Sequence, residues 1–265
     1  MTTFRITLAY DGTDYVGWQR QASGTSIQGL LEDALRAFGD GDVAVSGAGR
    51  TDAGVHALAQ VASFAMPRPI APEVLVRALN ARLPEAVRVL SAAGMPASFH
   101  ARFDARAKTY RYRIWNDDVL PPFERRYMWH VPGSLDVAAM QRAAELLVGE
   151  HDFAAFQSAG GDVATTVRTV FSSRIAECVP RSDDGLAADP QSPLLDYTVS
   201  ADGFLRHMVR AIVGTLVEIG RGRKDPEWIS RILASRHRSA AGRSAPAHGL
   251  FLVGVAYADA VPTEP

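Results

Sequence analysis

The 265-residue chain has a single cysteine, Cys178. One thiol excludes an intrachain disulfide, and it excludes a structural zinc site built on cysteines, which needs several thiolates. No apolar run reaches the roughly 18 residues that a membrane-spanning helix needs. The opening stretch MTTFRITLAYDG lacks the basic and then apolar regions of a secretory signal; it reads as a strand running into a turn. These absences lead to the expectation of a cytoplasmic protein with no membrane partner. Neither sign of charge prevails, since 28 Lys and Arg stand against 29 Asp and Glu for a net charge of −1. The Gly-Lys-Ser/Thr of a Walker loop is missing, and so is the G-x-S-x-G of a nucleophile elbow. His100, His130, His151, His207, His237 and His248 show no ligand-like spacing.

What is present is the profile of an ordinary globular protein, 47% hydrophobic and 22% charged. The length suffices for one large domain or two small ones. The near-zero net charge conceals an uneven distribution. Between Arg102 and Arg113 there are five cations and one acid; between Ala201 and Arg243 there are nine cations and four acids. The acids gather in Glu177–Asp202, with six against one arginine. A near-neutral chain with this pattern can present a basic face to a polyanion, or it can simply carry solvated charge runs.

The hydrophobic periods alternate between helix and strand. FRITLAYDG (4–12) alternates and ends in Asp-Gly. SIQGLLEDALRAFG (26–39) has helical spacing, with Ser26 as N-cap and Gly39 as stop. Residues 43–49 and 57–66 read as strands, APEVLVRALNARLP (71–84) as a helix with Pro72 in its first turn, and 87–95 as a strand. AKTYRYRIWND (107–117) alternates strongly: Tyr110, Tyr112 and Ile114 face one way, Arg111, Arg113 and Trp115 the other. A helix over 136–153 leaves through Gly149, strands follow at 165–179 and 194–203, and the polar stretch 180–193 reads as the loop between them. Helices at 204–222 and 225–236 and a strand at 248–258 complete the chain. Strands that often follow one another without a helix between predict an α+β fold with antiparallel sheet, and the boundary between halves falls near 103–108.

Three stretches carry candidate chemistry. In SGAGRTDAGVH (46–56), Asp52 occupies the place where G-x-G-x-x-G needs its third glycine. Asp52 and His56 are too few for a metal. Either this is a Gly-rich turn whose aspartate satisfies backbone amides, or it is a reactive carboxylate. Arg50 favours the second reading, because a nearby cation stabilises an ionised carboxylate, and glycines let a bulky ligand approach. In KTYRYRI, Tyr112 reads as core, whereas Tyr110 suits either core packing or stacking on a nucleobase. In FLRHMVRAIVG, Arg206 and Arg210 share a helix face, as a solvated edge or with one turned inward to a carboxylate.

The ordered blocks YDGTDYVGWQRQ (10–21), GAGRTDAGVHALAQVASF (47–64), FHARFDARAKTYRYRI (99–114), GEHDFAAF (149–156), GFLRHMVRAIVGTLVEIGRG (203–222) and APAHGLFL (245–252) resemble the bacterial tRNA pseudouridine synthase A family over nearly the whole chain. The resemblance implies an isomerase that converts uridine at positions 38, 39 and 40 of the tRNA anticodon stem-loop to pseudouridine, as a homodimer and without a cofactor. It implies two ferredoxin-like (RRM-like) α/β domains sharing a largely antiparallel central sheet, a catalytic-loop domain over 1–105 and a second over 106–265 that completes a basic cleft. It makes Asp52 the catalytic carboxylate, Arg50 the residue for tRNA binding and base extrusion, Tyr110 the ring stacked on the target uracil, and Arg210 the arginine paired with the aspartate. Ala211 and Ser244 depart from the family's usual Asn and Thr. Two rivals remain at this level. A non-catalytic RNA-binding module gains nothing from Asp52 beside Arg50, and a metal-dependent hydrolase lacks clustered carboxylates.

Overall fold

The computed structural model describes residues 1–38, 41, 43–67, 69–160, 163–178 and 194–258. In chain order the elements are β1 (Thr2–Tyr10), α1 (Ile27–Arg36), β2 (Ser46–Gly47), β3 (His56–Met66), α2 (Pro72–Asn80), β4 (Val87–Met95), β5 (Ala105–Trp115), β6 (Trp129–His130), α3 (Val137–Glu145), β7 (Gly149–Asp152), β8 (Val167–Cys178), β9 (Leu194–Ala201), α4 (Met208–Gly220), α5 (Trp228–Ser235) and β10 (Leu250–Tyr257). The chain forms two compact units. Among the described residues, the first holds those of Met1–Lys108 and Phe251–Ala258, the second those of Thr109–Leu250. Each mixes helices with mostly antiparallel strands, which is the α+β class that the sequence pattern predicts.

In the first unit the strand order is β4-β1-β3-β10, with β2 also on β3. β1 runs antiparallel to both β3 and β4, whereas β10 meets β3 in parallel through Phe251 and Leu252. Phe4, Ile6, Leu8 and Tyr10 alternate along β1 and are buried, as are Ile27, Leu31 and Leu35 of α1 and Leu75 and Leu79 of α2. Burial of each such aliphatic side chain contributes about 1.5–3 kcal/mol. Ser26 caps α1 as expected, its Oγ accepting the Gly29 N–H at 3.2 Å. Pro72 opens α2, where its missing N–H costs nothing. The expected stop at Gly39 lies outside the described residues.

In the second unit the order is β5-β9-β8-β7, with β6 pairing in parallel with the end of β5. β7/β8 and β8/β9 are antiparallel. Tyr112, Ile114, Tyr197 and Val199 are buried in this unit, as are Met140, Ala143 and Ala144 of α3 and Ile212, Val213 and Leu216 of α4. Asp136 caps α3 by accepting the Ala139 N–H at 2.8 Å. The expected loop over 180–193 lies outside the described residues.

Four helices are shorter than their periodicity suggests; the reading of 71–84 ends at Asn80 and that of 225–236 begins at Trp228. The helical reading of 136–153 ends at Glu145, and Gly149–Asp152 pairs instead with β8. The reading of 204–222 begins only at Met208, because His207 takes a left-handed conformation with φ 61 and holds Ser158 Oγ at 2.9 Å from its Nδ1. Arg206 therefore precedes α4 and does not share a helical face with Arg210. It donates instead to the Ala159 carbonyl at 3.0 Å. The basic run 102–113 is also partly neutralised, since Arg111 and Arg113 approach Asp196 at 3.5 and 3.6 Å. A window of sequence does not show that cross-strand pairing.

Candidate active site

In the first unit, β2 delivers the chain into the turn that carries Arg50 and Asp52. The Ala48 N–H donates to the Val61 carbonyl at 2.7 Å, and Gln60 Nε2 donates to the Gly49 carbonyl at 2.9 Å. Past Asp52 the chain reverses, with the Val55 N–H donating to the Asp52 carbonyl at 3.1 Å. Thr51 is buried, and its hydroxyl lies 2.8 Å from that of Tyr10. Burial pushes the Tyr10 phenol up to about 12, so this hydroxyl stays protonated through the neutral range. Asp52 is half-buried and Arg50 exposed. The backbone around these two residues is tied at several points.

A second segment, Tyr10 to Trp18, lies against the turn. The Trp18 N–H donates to the Thr51 carbonyl at 3.0 Å, and the Gly54 N–H to the Tyr15 carbonyl at 3.4 Å. Gly17, at φ 101, runs so close that an ideal Cβ there would lie 2.5 Å from the Thr51 carbonyl oxygen and 2.9 Å from the Asp52 carbonyl carbon. At Gly12 a Cβ would strike the Val55 carbonyl oxygen. These two glycines admit a backbone, not a ligand. Sequence reasoning missed the supporting role of this segment, although the glycines around Trp18 in YDGTDYVGW were its signal. Lys108 also lies over the turn, with its Cδ 3.5 Å from where a Gly49 Cβ would stand.

His56 is 1% exposed and stacks on Phe251 with ring centroids 4.7 Å apart. Its Nδ1 accepts the Gly12 N–H at 3.0 Å, which makes it an anchor for the 10–18 segment. Among the described residues, no three His, Cys, Asp or Glu side chains gather so as to hold a metal ion. Also among them, no helix is long and apolar enough to cross a membrane.

In the second unit, Tyr110 is 6% exposed and meets Phe204 edge-on, with ring centroids 5.0 Å apart. Tyr112 is core, as its alternation predicts: it is fully buried, and its hydroxyl donates to the Pro246 carbonyl at 2.9 Å. Arg210, in the first turn of α4, donates from Nε to the Ala245 carbonyl at 2.8 Å. The Ala245 N–H in turn donates to the Arg210 carbonyl at 2.9 Å. Burial lowers the pKa of His248 below its ordinary value, and the Arg210 charge acts in the same direction.

Known proteins match this chain over its length. The profile of a family described as tRNA pseudouridine synthase matches residues 6–104 and 143–258, which include Arg50, Asp52 and Arg210 but not Tyr110. A protein of Syntrophotalea carbinolica named tRNA pseudouridine synthase A is 45% identical over 258 residues, 97% of each chain. Proteins of the same name from Solibacter usitatus and Myxococcus xanthus are 46% and 42% identical, over 97% and 99% of this chain and 100% and 94% of their own. The chain therefore belongs to the tRNA pseudouridine synthase family, isomerases that form pseudouridine in tRNA.

Proposed function

We propose that the chain isomerises uridine at positions 38, 39 and 40 of the anticodon stem-loop, with Asp52 as the essential carboxylate. The observation that carries this reading is the Asp52 turn, whose backbone is tied by Trp18 and Gln60 and whose Thr51 hydroxyl meets Tyr10, with the exposed Arg50 two residues before Asp52. The reaction breaks the bond from N1 of uracil to C1′, turns the base and joins C5 to C1′. The C5 hydrogen is lost and N1 gains one, so atoms balance without a redox partner or cofactor. A base stacked in a stem cannot turn in this way, so it leaves the stack first. Arg50 binds the tRNA and favours extrusion. Asp52 acts as nucleophile at C1′ or C6, or as base toward the sugar. Tyr110 stacks on the released uracil, out of bulk water, and Arg210 contributes the cation that a reactive carboxylate needs.

The same reading describes the first unit as ferredoxin-like. Its β-α-β-β-α-β order and its β4-β1-β3 path with β2 on β3 support that description. It also includes a homodimer acting on tRNA in the cytoplasm.

The test compares wild type with Asp52→Asn on unmodified tRNA, mapping pseudouridine chemically at each position. Wild type should modify positions 38–40, and the variant should bind tRNA equally well yet form no product. Product from the variant would remove Asp52 from the chemistry. Product elsewhere in the tRNA would overturn the assigned positions. Binding without product from wild type would return the chain to the RNA-binding-module reading.

A further inference from the structure

Arg210 is held in part by a backbone segment. Its Nε–H and its carbonyl both bond to Ala245, so the guanidinium is tied to the segment 241–245 at the point where its plane is set. That segment has no regular secondary structure of its own. Its position must come from elsewhere. One tie comes from α4: the Gly242 N–H donates to Thr215 Oγ1 at 2.9 Å, and Thr215 donates on to the Ala211 carbonyl at 2.8 Å. At Gly214 the approach leaves no room, and a Cβ there would collide with the Arg243 carbonyl oxygen.

The other tie is Arg238. Its Nη1 donates to the Gly242 carbonyl at 2.9 Å and more weakly to the Ala241 carbonyl at 3.4 Å, and its Nη2 donates to Ser244 Oγ at 3.1 Å. A planar guanidinium suits this task, because a rigid fork reaches several acceptors with little loss of freedom per bond. The bonds span the residues just before Ala245. Tyr112 holds the next residue through the Pro246 carbonyl. The segment is therefore fixed on both sides of the carbonyl that orients Arg210.

We propose that Arg238 is a positioning residue of the isomerase, acting through Ser244 and the 241–245 backbone to hold Arg210 in its working orientation. This rests on the reading of Arg210 as part of the active site. Arg238 touches neither tRNA nor Asp52 in this proposal. It gives the hydroxyl at position 244 a role: Ser244 presents the oxygen to which Arg238 donates. A misplacement of about 1 Å at an active-site group costs on the order of a hundredfold in rate, so Arg238→Ala should lower kcat roughly ten- to a hundredfold. KM for tRNA should change by less than about threefold, because Arg238 is not a tRNA contact.

The experiment is a double-mutant cycle on the full chain. kcat and KM are measured with unmodified tRNA for wild type, Arg238→Ala, Arg210→Lys and the double variant, with a thermal melt of each. Action through Arg210 makes the losses in kcat strongly non-additive, whereas losses that multiply independently overturn the proposal. A second cycle with Arg50→Lys should be additive, and equal coupling there would mark a general loss of structure. Should Arg238→Ala not fold, Arg238→Lys and the pair Ser244→Ala and Ser244→Thr replace it. The threonine variant should lose less in kcat than the alanine variant, and equal losses would count against the proposal. Failure of the wider reading looks different: Arg210→Lys alone would then leave kcat unchanged.

Discussion

Gly17→Ala separates position from stability at the Asp52 turn. Gly17 sits at φ 101, a region where a side chain costs roughly 1–3 kcal/mol. Its Cβ would stand 2.5 Å from the Thr51 carbonyl oxygen and 2.9 Å from the Asp52 carbonyl carbon. Carbon needs roughly 3.5 Å from such neighbours, so one of the two backbones must give way by about 1 Å. Both neighbours are backbone, and neither can swing aside as a side-chain end would. A shift of about 1 Å at a reacting carboxylate costs on the order of a hundredfold in rate. The expected result is a fall of about a hundredfold in kcat, together with a stability loss of roughly 1–3 kcal/mol in urea unfolding. Gly133→Ala is the control. It has φ 83 but nothing within 4 Å of its would-be Cβ, so it carries the strain without the displacement. It should lose similar stability while kcat stays within about twofold of wild type. Initial rates at saturating tRNA, beside urea curves for all three proteins, decide the matter. A Gly17→Ala enzyme with kcat within about threefold of wild type would refute the argument that the 10–18 segment positions Asp52.

Other outcomes follow from the same geometry. Arg50→Ala should leave the melting curve nearly unchanged, since exposed substitutions usually cost less than about 0.5 kcal/mol, while pseudouridine formation falls; an unfolded variant would make Arg50 structural. Tyr112→Phe leaves the Pro246 carbonyl without its donor and should cost about 1–3 kcal/mol in urea unfolding, and an unchanged midpoint would contradict the bond. Alkali should destabilise the fold in a defined window. Burial raises the Tyr10 phenol from 10.0 to about 12, so stability present below pH 10 is lost as the pH rises from 10 to 12, when the unfolded phenol ionises first. Tyr10 alone accounts for roughly 3 kcal/mol of that loss, and Tyr10→Phe should flatten the slope; superposable profiles for the two proteins would exclude it.

Local patterns were legible wherever local physics decides. The alternation of β1 and β5, the serine cap of α1, and the limits of β4 follow from side-chain period and from hydrogen bonds within a few residues. The Arg50–Asp52 turn was equally conspicuous as a cluster of small residues around a cation and an acid. What failed to show were features set by partners distant in sequence. α4 begins four residues later than the helix read from position 204 because His207 turns left-handed and binds Ser158. Gly149–Asp152 becomes a strand because β8 offers it a ladder.

The sequence by itself determined the α+β class, the family and the residues with chemistry to offer, since these depend on residue type and short spacing. Only the tertiary structure decided how those residues are held. Gly12 and Gly17 look like ordinary turn glycines until the Asp52 turn is laid against them, and Arg238 looks like a solvated charge until its fork closes on the segment before Ala245. The physical reason is that a side chain's type is local, whereas the carbonyl or backbone it must meet is brought to it by pairings dozens of residues away.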